Sequence, residues 1–229
     1  MGATRLGVLG GTFNPIHLGH LHIAERAQRV FDLDRIYFVV ATAPPHKPLP
    51  DLIPLTHRYA MVSLATAGSP SFIPSLIELE SPASPFSVHT MRKLASRNSG
   101  MDTRLYFIAG GDSLVDVFTW RESERLLTSY DFIFVTRPGV GAVEPASVLP
   151  AKAISRVRNL VELGPRQLRR RIQAEEASGE SRVFIVDLGA LDISASQIRK
   201  LASRGKQIRH LIPAAVHEYL QKTHLYGER

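Results

Sequence analysis

The sequence predicts an α/β fold built on a mostly parallel, doubly wound sheet, with helices closing it at the C-terminus. Short apolar runs rich in β-branched and aromatic residues recur along the chain, each suited to a buried strand. Helical patterns stand between them, and strands alternating with helices make βαβ units with parallel strands. The first run ends in a pair of glycines that lead into a helix, and ligands on such sheets bind outside the carboxyl ends of the strands.

The strand candidates are RLGVLG (5–10), RIYFVVA (35–41), SFIPSLI (71–77), RLYFIAG (104–110), DFIFVTR (131–137) and RVFIVDL (182–188). Over 17–31, Leu21, Ala24, Ala27 and Phe31 predict one apolar helix face. Thr56 is read as the cap of a helix carrying Tyr59, Met61, Leu64 and Ala65, and 86–100 as a helix stopped by glycine. Ser194 caps a helix with Ile198, Leu201 and Ala202 that stops at Gly205. The last helix starts at Pro213, where a missing backbone donor costs nothing, and carries Val216, Tyr219 and Leu220. Residues 1–229 are read as a single domain. Within it, 138–181 is rich in Pro, Gly, Ala and charge and reads as a surface insertion, with a charged helix from Pro165 to Glu176.

A chain of 229 residues, 44% hydrophobic and 21% charged, suits an ordinary globular protein with one sizeable core. It contains no cysteine, which excludes disulfides, thiolate metal sites and a thiol nucleophile. The N-terminal MGATRLGVLGG lacks a signal-peptide pattern and no apolar run reaches membrane length, so a cytoplasmic location without a membrane partner is expected. A net charge of +7 suits an anionic partner.

Gly10, Gly11, Thr12 and Phe13 follow the first strand directly, and glycines there let backbone N–H groups approach an anion. The pair also suits a plain turn, and it matches neither G-x-x-x-x-G-K-[ST] nor G-x-G-x-x-G. His17 and His20, three residues apart, share one face of a helix's first turn. Unsatisfied N–H groups and the positive end of the helix dipole favour a phosphate there, and Gly19 keeps that face low. A metal reading of His17, His20 and His22 lacks the H-E-x-x-H pattern and an identifiable acidic ligand, so no protein-held metal is expected.

The stretch GGTFNPIHLGH resembles the N-terminal signature of the H-x-G-H nucleotidyltransferase superfamily, and within it the bacterial-type nicotinate mononucleotide adenylyltransferases. The likeness runs nearly end to end, through PPHKP (44–48), SPFSVHTM (84–91), AGGDSL (109–114), FTW (118–120), TRPG (136–139), ISASQIR (193–199) and IPAAVHEYLQKTHLYG (212–227). It implies a Rossmann-like nucleotidyltransferase fold and transfer of AMP from ATP to nicotinate mononucleotide, giving deamido-NAD and pyrophosphate. The attacking phosphate is already an anion, so catalysis is positioning and charge stabilisation without a base.

The same resemblance implies that His17, His20 and Arg199 act on the ATP phosphates. It places Gly10, Gly11, Thr12, Phe13, Gly110, Asp112, Ser194 and Ser196 around ATP, and Asn14, Lys47, Ser87, Thr90, Thr119, Trp120 and Arg137 around the mononucleotide. Mg²⁺ held mainly by phosphate oxygens is the expected cofactor, with Asp112 placed for it or for a ribose hydroxyl. Three residues depart from the family pattern. Asn14 and His89 stand where aspartate is frequent, and Ala195 in Ser-Ala-Ser replaces a residue of the commoner Ser-Ser-Thr. A neutral His89 could accept from an amide and blur a preference for nicotinate over nicotinamide.

Two other classes compete. GDSL (111–114) also names a serine hydrolase motif, but no Asp-x-x-His occurs in the chain to complete a triad. RQLRRRIQ (166–173) could be the patch of a nucleic-acid-binding module, yet Ala-Glu-Glu follows at once and a solvated helix face accounts for it, so no nucleic-acid partner is expected. Superfamily members acting on nicotinamide mononucleotide or phosphopantetheine are closer rivals.

Overall fold

The computed structural model describes residues 3–42, 52–136 and 149–227. Among these, seven strands form one sheet: β1 (Thr4–Gly11), β2 (Arg35–Val40), β3 (Phe72–Ser75), β4 (Thr103–Gly110), β5 (Asp131–Val135), β6 (Val157–Asn159) and β7 (Val183–Val186). Their order is β3-β2-β1-β4-β5-β7-β6, and every neighbouring pair is parallel. The chain runs outward from β1 to β2 and β3, then crosses back to β4. The order therefore reverses between β1 and β4, and their carboxyl ends frame the crevice where such sheets bind ligands.

The near-continuous apolar strands are explained by cover on both faces. Along β4, Tyr106 and Ile108 join one core while Leu105, Phe107 and Ala109 join the other; β5 divides Ile133 and Val135 from Phe132 and Phe134 in the same way. The first face is covered by α1 (Leu18–Phe31), α2 (Leu55–Thr66), α7 (Pro165–Glu176), α8 (Ala195–Ala202) and α9 (Ala214–Thr223). The second is covered by α3 (Ser87–Arg97), α4 (Asp112–Asp116), α5 (Ser123–Ser129) and α6 (Ala151–Ile154). Ala24, Ala27 and Phe31 of α1 are buried as their spacing predicts, and α1 ends at Asp32 in the left-handed conformation. Val216 and Leu220 bury the face of α9, which packs on α2.

Four local readings change. Helix α2 begins at Leu55 with Pro54 as its cap, so Thr56 lies inside the first turn. Pro213 likewise precedes the last helix as its cap. Residues 112–129, not assigned a helical reading from sequence, form α4, a short 3₁₀ turn at Val117–Thr119, and α5. The fourth change concerns 138–181. Its residues 149–181 add the edge strand β6 and the helix α7, whose Leu168 and Ile172 are buried in the main core. This part is woven into the sheet, which corrects the surface-insertion reading; two apolar positions per three turns suffice to seat an otherwise charged helix.

Candidate active site

At the carboxyl end of β1 the chain turns sharply. Phe13 takes a φ of 48°, a left-handed conformation costly for an aromatic residue, and its ring is buried edge-on against His20 at 5.0 Å. His17, only 3% exposed, caps α1, and its ring stacks on that of His20 with centroids 3.7 Å apart. The His17 backbone N–H donates to His20 Nδ1 at 3.2 Å. With Nδ1 accepting, the proton of a neutral His20 sits on Nε2, which is then the donating nitrogen. Gly19 serves this pair: a Cβ there would lie 3.0 Å from Nδ1 of His17 and displace the inner ring.

Arg199 arrives from α8, far along the chain, and its Nη1 donates to the main-chain oxygen of Asn14 at 2.9 Å. Ser194 caps α8, accepting the Gln197 backbone N–H at 3.2 Å, with Ser196 Oγ 3.1 Å from its hydroxyl. The α8 N-terminus lies beside that of α1, since Ile193 approaches within 3.6 Å of the Cβ position of Gly19. Two helix N-termini and one guanidinium thus converge on the turn after β1, an arrangement suited to a polyanion.

A cleft of about 350 Å³ opens beside this turn. Of the residues expected from sequence, Gly10, Gly11, Thr12, His20, Ser87, Gly110, Asp112 and Trp120 line it. Gly110 leaves room for the Asp112 carboxylate: an added Cβ would lie 2.4 Å from its Oδ1 and push that side chain aside. Trp120 stands half-buried on the wall, edge-on to Phe107 at 5.7 Å, so it packs on the core and faces the cleft at once.

Other expected residues stand behind the wall. Phe13 and His17 support His20 from below. Asn14 is 2% exposed and its side-chain oxygen accepts from the Tyr226 hydroxyl, so this departure from aspartate ties the C-terminal segment to the turn. Thr90 is 2% exposed within α3, and among the described residues its hydroxyl has no hydrogen-bond partner. The Thr119 hydroxyl is used locally, donating to Asp116 at 2.7 Å. His89 Nδ1 is engaged by the Ser84 hydroxyl at 2.6 Å and its Nε2 faces Glu122 at 4.0 Å, so it is committed away from a substrate amide. Lys47 and Arg137 lie outside the described residues.

Sequence reasoning missed several wall residues: Glu78, Pro85, Phe86, Asp116 and Arg121. Arg121 lies over the Phe86 ring at 4.9 Å. Burial pushes the Glu78 carboxyl above its ordinary range, opposed by hydrogen bonds from the backbone N–H and hydroxyl of Thr42 at 2.8 and 3.0 Å. Also missed was Arg58, 1% exposed, beneath the turn. In LTHRYAM it reads as an ordinary helix arginine, and no local signal marks it.

Comparison with known proteins agrees with this geometry. The cytidylyltransferase-like family model matches residues 8–201. A Pelobacter propionicus protein named nicotinate-nucleotide adenylyltransferase is 38% identical over 224 residues, 98% of this chain and 99% of its own. A Citrifermentans bemidjiense protein of the same name is 40% identical over 222 residues, 97% of this chain and 98% of its own. Among solved structures, Plasmodium falciparum nicotinic acid mononucleotide adenylyltransferase complexed with NaAD shares the fold, with a TM-score of 0.70 at 18% identity over 97% of each chain. The phosphate-suited turn at the sheet's reversal point and the full-length likeness lead to one assignment: this chain belongs to the cytidylyltransferase-like family and, within it, to the nicotinate-nucleotide adenylyltransferases.

Proposed function

We propose that the chain transfers AMP from ATP to nicotinate mononucleotide, forming deamido-NAD and releasing pyrophosphate. The observation that carries the reading is the meeting of the turn after β1 with Arg199, which bonds Asn14 across 185 residues of sequence, beside a cleft that His20, Ser87 and Trp120 line. One side offers cationic and N–H donors for a triphosphate; the other offers an indole and a helix N-terminus for an acidic pyridine ring. Oxygen of the mononucleotide phosphate bonds to the α-phosphorus while the bond to the β-phosphate oxygen breaks, and the pair of electrons leaves with pyrophosphate.

In this reading His20 donates through Nε2 to phosphate oxygens, and Arg199 neutralises charge growing on the leaving group. His17 and Phe13 hold His20 in place. The N-terminus of α3, beginning at Ser87 after an uncapped Phe86, favours the nicotinate carboxylate over a neutral amide. Mg²⁺ is proposed as the cofactor: Asp112 and Asp116 on the wall fit a hard cation that phosphate oxygens mainly hold, and when bound it would neutralise phosphate charge.

The test is pyrophosphate release with ATP and each of nicotinate mononucleotide, nicotinamide mononucleotide and phosphopantetheine. Nicotinate mononucleotide is expected to exceed the amide by about 100-fold in kcat/KM, from donors left unpaired against the amide NH₂. Equal kcat/KM for the two mononucleotides, or a preference for phosphopantetheine, would overturn the reading.

A further inference from the structure

Arg58 is the largest fully buried side chain of the described residues, and it is charged. It sits in the first turns of α2 with its guanidinium across the carboxyl ends of β1 and β2. Nη1 donates to the carbonyl of Thr12 at 2.9 Å and to that of Ala41 at 2.6 Å. Nε donates to the carbonyl of Ile53 at 3.1 Å, and Nη2 to that of Thr42 at 3.4 Å. One planar group therefore ties four peptide units: one in the turn that carries the histidines, and three at the two ends of the connection between β2 and α2. Only a five-donor fork of fixed geometry can do this; an ammonium cannot span the set.

Its charge is also unusual. Among the described residues no carboxylate lies within ion-pair distance, although an arginine this buried is normally paired. Glu78 and Tyr226 act on it only at longer range, and burial lowers its proton affinity without removing its charge. Carbonyl dipoles solvate it in part, leaving a net positive charge under the Thr12 turn, on the far side of which the cleft opens. A charge in that position is poorly screened by salt and points its field at whatever anion the turn holds.

We propose that Arg58 is a positioning residue for adenylyl transfer: it fixes the Thr12 turn from inside the protein by its carbonyl fork, and its charge favours the bound triphosphate. This rests on the function proposed above. The fork and the charge make separable demands, which two variants of the full chain divide. Arg58→Lys keeps the charge but loses the fork; Arg58→Gln keeps donors for two carbonyls but loses the charge.

Both are expected to fold and to lower kcat by about tenfold or more, as a loosened near-attack geometry does. Affinity for a non-hydrolysable ATP analogue should separate them, staying within about threefold of wild type in Arg58→Lys and weakening by about tenfold in Arg58→Gln. Arg104→Lys, at the other end of the sheet, serves as a control for lost stability and should leave kcat unchanged. Wild-type kcat in both Arg58 variants, an equal loss of kcat in Arg104→Lys, or failure of both Arg58 variants to fold would each overturn the proposal; the last would make Arg58 a determinant of the fold alone. An inactive wild type would instead defeat the proposed function, and the analogue affinities would still judge Arg58.

Discussion

The two ends of the sheet solve opposite problems. At the amino ends of the strands, charges close on one another. Arg5 meets both oxygens of Glu176 at 2.5 and 2.6 Å, Tyr106 donates to the same carboxylate at 2.5 Å, and Arg104 forks Asp131 at 2.6 and 2.9 Å. Glu175 gathers Arg158, Arg171 and Arg182. At the carboxyl ends, cations are held by neutral carbonyls: Arg58 by four of them and Arg199 by that of Asn14. Paired charges there would have less field to spare for a ligand; among the described residues Arg58 and Arg199 have no ion-paired acid, while the other end spends its acids on stability. Cavity size does not mark the difference, because the larger hollow, about 730 Å³, opens at the amino end beside Arg104 and Asp131.

The comparison breaks most clearly at Glu176. Glu176→Ala leaves Arg5 and Tyr106 without their shared acid and should cost about 3 kcal/mol of stability, as removal of one partner from a buried pair does. Chemical denaturation reads the loss, and kcat of the folded fraction should not move; a fall in kcat would mean the two ends are coupled. Next in size are His20→Ala and Arg199→Ala. Each should lower kcat by about 100-fold, or ~2.7 kcal/mol, with a thermal midpoint close to wild type. Near-normal turnover in either variant would remove that residue from the phosphate contacts.

A smaller effect is expected from Gly110→Ala. The added methyl displaces the Asp112 carboxylate from the cleft mouth, and kcat should fall by about tenfold without loss of fold, measured at saturating ATP. The smallest concerns pH. Burial raises the Glu175 pKa, but hydrogen bonds from Arg158 and Arg182 outweigh this and hold it below the ordinary value of 4.5. The folded state thus binds the proton more weakly than the unfolded one. The stabilisation is complete above pH 4.5 and is lost as pH falls through it toward the lowered value. Glu175→Gln should flatten the denaturation midpoint in that acid range, and parallel wild-type and variant curves would exclude the effect.

Much of the fold was legible because it is local. The six longer strands announce themselves as apolar runs, and α1 and α8 by spacing and by the Ser194 cap. β6 was not legible: three residues, Val157–Asn159, carry no run, and the strand exists because β7 offers a free edge. The site was legible in its motifs, GGTFNPIHLGH and ISASQIR, since the chemistry of phosphate binding needs glycines, imidazoles and helix caps at short spacings. Asn14 in GGTFNPIHLGH, and His89 and Thr90 in SPFSVHTM, point toward the substrate by their places in the sequence, and in the fold each is buried or engaged by the protein itself.

What the sequence alone determined is therefore the period of each element, the caps that start them and the residue types a phosphate demands, because these depend on neighbours within a turn or two. Strand order decided the rest. Only once β4 returns beside β1 do Gly110 and Asp112 face Thr12 across one cleft, and only the folded chain brings Arg199 to Asn14 and Arg58 beneath Thr12. Whether an arginine is a solvated helix residue or a buried fork on four carbonyls is set by what the sheet packs around it, and a guanidinium is satisfied by either.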